Sequence, residues 1–287
     1  MKKQFLKLSL VLLGLVLVSC SSEETSDEKE NNTDETQKYI TSITNQNPND
    51  WDKPTQFIYE NDKLKYTFLN DCSGELNYYE YNSKGKISKS YRGTIQLTEE
   101  TFNPDVFDLE AFINHDYTQV LNYYYEDNTL IRIQKDESFI DYQFTYNDDG
   151  MLQTAEWLVD GVGLWEKVTF EYSEGKISKM NKKEFNTSGG TVTSNYDYTF
   201  EFDDKPNPFY NLVESYNLLF QYTCTGIDYI SSEDMGLKLF KNNVKKVLRD
   251  GEEIYSATYQ YDENNYPNRV SFTNTRTSGV LLLTYLR

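Results

Sequence analysis

The chain has 287 residues and a net charge of −18; 15% of it is aromatic, with 25 tyrosines, yet mean hydropathy is only −0.72. So acidic a protein repels phosphate backbones, which excludes nucleic acid as a partner. One histidine and three cysteines are too few for multi-histidine or cysteine-rich metal sites, and neither a metal nor a cofactor is expected.

The first element is a leader. Lys2, Lys3 and Lys7 precede an apolar run over 8–18, too short to span a bilayer and patterned as a secretory signal. It ends in "LVSC" at 17–20, which resembles a bacterial lipobox. The resemblance implies removal of residues 1–19, acylation of Cys20 and membrane anchoring through its lipid chains, each buried methylene contributing about 0.8 kcal/mol. Residues 21–36, "SSEETSDEKENNTDET", hold seven acids, one lysine and no apolar side chain. Such a stretch cannot offset its ordering entropy, so 20–38 is expected to be an acylated, disordered tether. Acids directly after the cysteine resemble the surface-export signal of Bacteroidota-type lipoproteins. That implies an outer membrane lipoprotein, facing the periplasm or the cell surface.

From 39 to 287 one template recurs: aromatic, any residue, aromatic, polar turn, aliphatic. It appears as "FIYENDKL" at 57–64, "YEYNSKGKI" at 79–87, "YYYEDNTL" at 123–130, "FTYNDDGM" at 144–151 and "FEYSEGKI" at 170–177. Looser copies are "FEFDDKPNPF" at 200–209 and "YQYDENNYP" at 259–267. Period-two aromatics share one strand face. Asn, Asp and Gly then reverse the chain, and an aliphatic residue starts the return. The expectation is an all-β domain over 39–287, an antiparallel meander forming a large curved sheet or a barrel-like wall. "KNNVKKVLR" at 241–249 is the one basic run and reads as a strand's solvent face.

Two inserts break the rhythm. "NPDVFDLEAFIN" at 103–114 has an Asn cap, Pro in the first turn and helical apolar spacing. A second short helical insert is expected within 207–240, from "NPFYNLVESYNLLF" and "SSEDMGLKLF". Both are expected to plug or cap an open end of the curved sheet.

The turns "YNDDGML", "YNSKGKI" and "YSEGKI" resemble those of YD-repeat proteins. With the lipobox, the acidic tether, "YITSIT" at 39–44 and the "NPFYNL" insert, the whole resembles a group of Bacteroidota-type outer membrane lipoproteins, porin-like or curved β-meanders. That resemblance implies architecture and carries no catalytic residue.

The pentapeptide "GKISK" occurs at 85–89 and again at 175–179. It lacks the upstream glycine and the hydroxyl of a phosphate loop. The overlapping S-x-x-K spacing lacks its partner motifs. It is therefore a turn and an outgoing strand. Strict alternation would place Lys89 and Lys179 on the apolar side with Ile87 and Ile177, so a bulge, a strand end or a wet face is expected there. His115 has no nucleophile elbow beside it. Asn147–Asp149 and Asp203–Asp204 do not fit a calcium loop and read as turns.

Cys72 and Cys224 either form a disulfide, which the compartment permits, or pack as thiols. Tyr123, Tyr124, Tyr125, Trp157 and Trp165 are the candidate ligand-facing aromatics. Three functions follow: a non-catalytic envelope binding module for a glycan or protein, a barrel-like carrier of an apolar ligand, or a glycan-acting enzyme using paired carboxylates.

Overall fold

The computed structural model describes residues 38–46, 54–69, 74–95, 101–136, 140–186, 190–210, 240–275 and 278–286. In chain order the strands are β1 (Ile40–Asn45), β2 (Thr55–Glu60), β3 (Lys63–Leu69), β4 (Glu75–Tyr81), β5 (Ile87–Thr94), β6 (Gln119–Glu126), β7 (Thr129–Lys135) and β8 (Ile140–Tyr146). They continue as β9 (Leu152–Val159), β10 (Gly163–Ser173), β11 (Lys176–Phe185), β12 (Val192–Pro206), β13 (Asn242–Arg249), β14 (Glu252–Tyr261), β15 (Pro267–Asn274) and β16 (Ser278–Tyr285). A single helix among the described residues, α1 (Leu109–Ile113), lies between β5 and β6.

Each strand pairs antiparallel with its sequence neighbours, and β1 pairs with β16 as well as β2, so the meander closes into a sixteen-stranded barrel. The seam registers Ile43 against Leu283 and Asn45 against Leu281. Lys38–Arg287 forms one compact unit.

The template turns all fall on one rim, called here the turn rim, where β1 begins and β16 ends. Their sequences dictate two turn chemistries. Asn61-Asp62, Asp127-Asn128 and Glu174-Gly175 have two consecutive positive φ angles between 47° and 72°, the two-residue turn that matches strand twist. In "YNSKGK", "YNDDGM" and "YDENNY" the first turn residue instead caps its own loop. Asn82 Oδ1 accepts from Lys84 N and Lys86 N, Asn147 Oδ1 from Asp149 N and Met151 N, and Asp262 Oδ1 from Asn264 N and Tyr266 N, all at 2.9–3.1 Å. The left-handed slot in these loops is taken by Gly85, Gly150 or Asn265, residues that tolerate it.

A bulge follows each template turn on the outgoing strand. Tyr81 registers with Ile87 but Glu80 with Lys89, leaving Ser88 extra. Tyr172 registers with Ile177 but Glu171 with Lys179, leaving Ser178 extra. Ser88 Oγ and Ser178 Oγ donate back to the Glu80 and Glu171 carbonyls at 3.3 and 3.1 Å. The bulge resets the alternation. Ile87 and Ile177 are buried, while Lys179 turns outward and pairs with Asp197 at 3.0 Å. This accounts for the lysines of "GKISK".

The bulge also sets a repeated tether between hairpins. Tyr81 Oη donates to the Leu64 carbonyl, Tyr146 to Leu130, Tyr172 to Leu152, Tyr259 to Val244 and Tyr285 to Pro267, at 2.5–2.7 Å. In each case the acceptor is the residue just before the bulge. The donor lies three residues past the partner of the residue just after it. Tyr125 and Phe202 occupy the same register opposite Ile87 and Ile177.

Inward residues form the main core, which includes Phe57, Tyr79, Ile133, Phe144, Phe170, Val244 and Phe272. A circular wall of this many strands leaves room for an aqueous channel. Here the inward side chains are buried against one another instead. The outer face is polar over most of its circumference and carries cross-strand pairs: Arg132–Asp141 and Lys167–Glu156 at 2.7 Å, Lys246–Glu201 at 3.2 Å, and Thr145–Thr154 at 2.7 Å. The basic run 241–249 becomes β13, with Lys246 on this wet face.

The exception is the outer face of β2–β6, where Tyr66, Phe68, Leu76, Tyr78 and Tyr91 make a second apolar cluster with Phe102 and Phe112. The 101–118 excursion covers it from outside. It therefore caps the outside of a wall, not the expected open end. Its helix also starts later than expected. Asn103 closes a turn onto Asp105 N, and Asp108 Oδ1 caps α1 by accepting from Ala111 N at 2.9 Å. Gly93 makes the approach feasible, since a Cβ there would sit 2.8 Å from the Phe112 ring. Most of the second insert, 211–239, lies outside the described residues.

Candidate functional site

The core is not uniform along the barrel axis. Near the turn rim it is aromatic and aliphatic. Toward the opposite rim, inward positions turn polar: Thr67, Glu75, Asn77, Arg92, Lys135, Glu166, Lys182 and Glu184 all share inward parity. β10 displays the switch within one strand. Phe170 and Val168 are followed on the same face by Glu166, which is 4% exposed.

Two ion clusters anchor this polar band. Arg92 pairs with the buried Glu75, whose Oε1 accepts from Asn77 Nδ2 at 3.2 Å. Lys182 Nζ sits between two carboxylates, 3.0 Å from Glu166 Oε2 and 3.2 Å from Glu184 Oε1. Glu166 Oε1 is buried and accepts no hydrogen bond among the described residues. Burial raises the Glu166 pKa to about 7, with Lys182 opposing only in part. Burial pulls Lys182 down, but the two glutamates more than offset it and hold its pKa up. Lys135 is lowered by burial and by the nearby Arg92 charge.

Aromatic rings adjoin the band. Trp157 registers directly with Glu166. Its ring centroid is 6.1 Å from Trp165 and 6.0 Å from Tyr142. Burial pushes the Tyr142 hydroxyl up to about 12, with Arg92 opposing. Trp165 occupies the bulge between Leu164 and Glu166, which brings its ring near Trp157.

Of the aromatics chosen from sequence, the structure thus brings Trp157 and Trp165 together and divides the tyrosine triplet. Tyr123 faces inward, buried, with Oη 3.1 Å from Ser90 Oγ. Tyr125 also faces inward, packed on the core. Tyr124 faces outward, 42% exposed, under the Arg132 guanidinium at 5.6 Å. Strand alternation forbids three consecutive residues from forming one patch. Cys20, Cys72 and Cys224 lie outside the described residues. The charged inward residues escaped sequence reasoning, although "WEKVTF" carried the signal: Glu166 shares parity with Val168 and Phe170.

The band can hold a polar, ring-bearing ligand through stacking and charged hydrogen bonds. Glu166 and Glu184 form the cross-strand carboxylate pair that sugar hydrolysis would need, but the Lys182 ammonium bridges them. Among the described residues no three His, Cys, Asp or Glu side chains cluster as a metal site.

No protein-family model matches the chain, and no curated protein does. Among solved structures it is similar to a porin-like protein from Bacteroides uniformis, at 11% identity and TM-score 0.40, over 86% of this chain and 98% of that one. It is also similar to a porin-like protein from Bacteroides vulgatus, at 12% identity and TM-score 0.38, over 87% of this chain and 99% of that one.

Proposed function

We propose that the chain is a Bacteroidota-type lipoprotein, anchored to the outer membrane through Cys20, whose barrel stands in water as a non-catalytic binding module for a glycan or protein. One observation carries this reading: the sidedness of the wall. A membrane-spanning barrel turns an apolar band outward and a polar lumen inward, and Arg or Lys on its lipid face costs about 2–4 kcal/mol at the midplane. Here the polarity is reversed, with aromatics inside and Arg132, Lys167, Lys179 and Lys246 outside. Water is the solvent that suits such strands, and the lipobox offers a membrane attachment that does not need them to cross.

The same packing weighs against the other two functions. A carrier needs most of the barrel's interior for cargo, and here the buried aromatic core takes up much of it. A glycosidase needs a sugar between its carboxylates, and Lys182 holds that place. The Trp157–Trp165 pair beside the polar band supports the glycan over a protein ligand.

The test has two arms. Fed a tagged fatty acid, cells expressing the wild-type chain are expected to label it, and those expressing Cys20→Ala are not. On a glycan array, wild-type binding is expected to fall at least tenfold in Trp157→Ala. Stepwise ion conductance across a planar bilayer would overturn the reading.

A further inference from the structure

Five tyrosine tethers are made at the turn rim, and one equivalent register lacks a hydroxyl altogether. Six of the seven equivalent registers carry tyrosine, and at 202 the chain has phenylalanine. Phe202 supplies no hydroxyl to the Ile177 carbonyl, so the hairpin β10–β11 is not tied to β12 as its neighbours are tied. A cavity of about 240 Å³ opens at this place. Its apolar wall includes Leu152, Tyr172, Ile177, Phe202, Tyr210 and Phe240. Among the described residues the charged ones in its lining, Lys176 and Lys241, are both cationic and exposed.

We infer that this cavity is a second binding site, separate from the polar band, for a free single-chain amphiphile with an anionic head. The size limits the ligand. At about 30 Å³ per water-sized group, the space holds roughly eight such groups, which fits one short alkyl segment and not a pair of chains. The wall selects apolar atoms, because six aromatic or aliphatic side chains face the space and burying each methylene contributes about 0.8 kcal/mol. The mouth selects the head group. Lys176 follows the Glu174-Gly175 turn and Lys241 precedes β13, so both cations come from the turn rim. Asp149 and Glu174 lie on the adjacent turns but are not among the lining residues.

The repeat also supplies the decisive variant. Phe202→Tyr restores the residue that the other registers use, directs a hydroxyl at the Ile177 carbonyl and takes up cavity space. It should remove binding while keeping or raising stability. The full chain carrying Cys20→Ser is titrated with decanoate and, separately, with decan-1-ol. Saturable one-site binding of decanoate is expected, tighter than decan-1-ol. Phe202→Tyr should weaken it at least tenfold at an unchanged or higher Tm. Lys176→Glu with Lys241→Glu should weaken decanoate several-fold and leave decan-1-ol unchanged. In the parent chain, NOEs are expected from decanoate methylenes to the Phe202 and Phe240 rings. Those NOEs decide the matter should Phe202→Tyr fold poorly. The inference is overturned by missing NOEs, by binding seen only with lipid vesicles, by full binding in a folded Phe202→Tyr chain, or by indifference to the lysine changes.

Discussion

At the scale of single residues, Glu166 is the side chain whose setting most departs from its chemistry. It is a carboxyl buried among aromatics, with one oxygen on Lys182 and the other without a donor among the described residues. Its folded pKa is raised, from 4.5 to about 7. A raised carboxyl contributes stability that is fully present below its unfolded pKa and lost as pH rises through the folded one. Between roughly pH 4.5 and 7 the folded chain keeps a proton that the unfolded chain has released. The wild type should therefore lose up to about 3 kcal/mol across that window relative to Glu166→Gln. Paired urea titrations at pH 4.5, 6 and 8 measure it, and parallel stability curves for the two chains would refute the buried, protonated carboxyl. The sequence held this residue in view but hid its role. Composition makes acids look solvated in so acidic a chain, and only the parity of Glu166 with Val168 and Phe170 marks it as inward.

At the scale of elements, the repeating unit is a hairpin with a turn, a bulge and a tyrosine. Aromatic spacing and turn residues located most of these hairpins from sequence, because both signals are local. The tether was not visible in the same way. It joins the tyrosine of one strand to a carbonyl of the preceding strand, and the register depends on bulges that sequence does not print. The tethering tyrosine is the second aromatic of the template at 81, 146 and 172 but the first at 259, and Tyr285 lies outside any copy of it. Tyr261 instead donates to Asp203, which also accepts from the Asn243 backbone at 3.2 Å. A neutral hydrogen bond of this kind contributes about 1 kcal/mol net. Tyr146→Phe should lower stability by about that amount, and hydrogen exchange should quicken at the β7–β8 end of the turn rim. An effect spread evenly over the barrel would count against a local tether.

At the scale of the whole molecule, the closed wall follows from the seam. Alternating strands predicted a curved sheet or a barrel, and nothing local could choose between them, since the choice rests on one long-range pair. The β1–β16 ladder is reinforced by Ser42 Oγ to Thr284 Oγ1 at 2.6 Å, by Leu286 N donating to the Tyr39 carbonyl and by the Lys38–Asp262 ion pair at 2.7 Å. Deleting 38–45 would leave the edges of β2 and β16 unpaired, and exposed edges recruit other chains. Such a truncation is expected to sediment as dimers or larger species at concentrations where the full chain is monodisperse. A monomeric truncation with unchanged Tm would show the seam to be dispensable.

That seam also dictates an order of assembly. Every other ladder joins strands adjacent in sequence, so hairpins can form one after another as chain becomes available, most of them closing a short loop at little entropic cost. The remaining ladder joins residues as far apart as Thr41 and Thr284, 243 positions along the chain. A chain that emerges N-terminus first must therefore keep β1 waiting, half-paired on β2, until the last strand arrives. Closure is the slow, non-local step of such a topology. The half-built wall, with its two open edges, is the species most prone to pair with other chains.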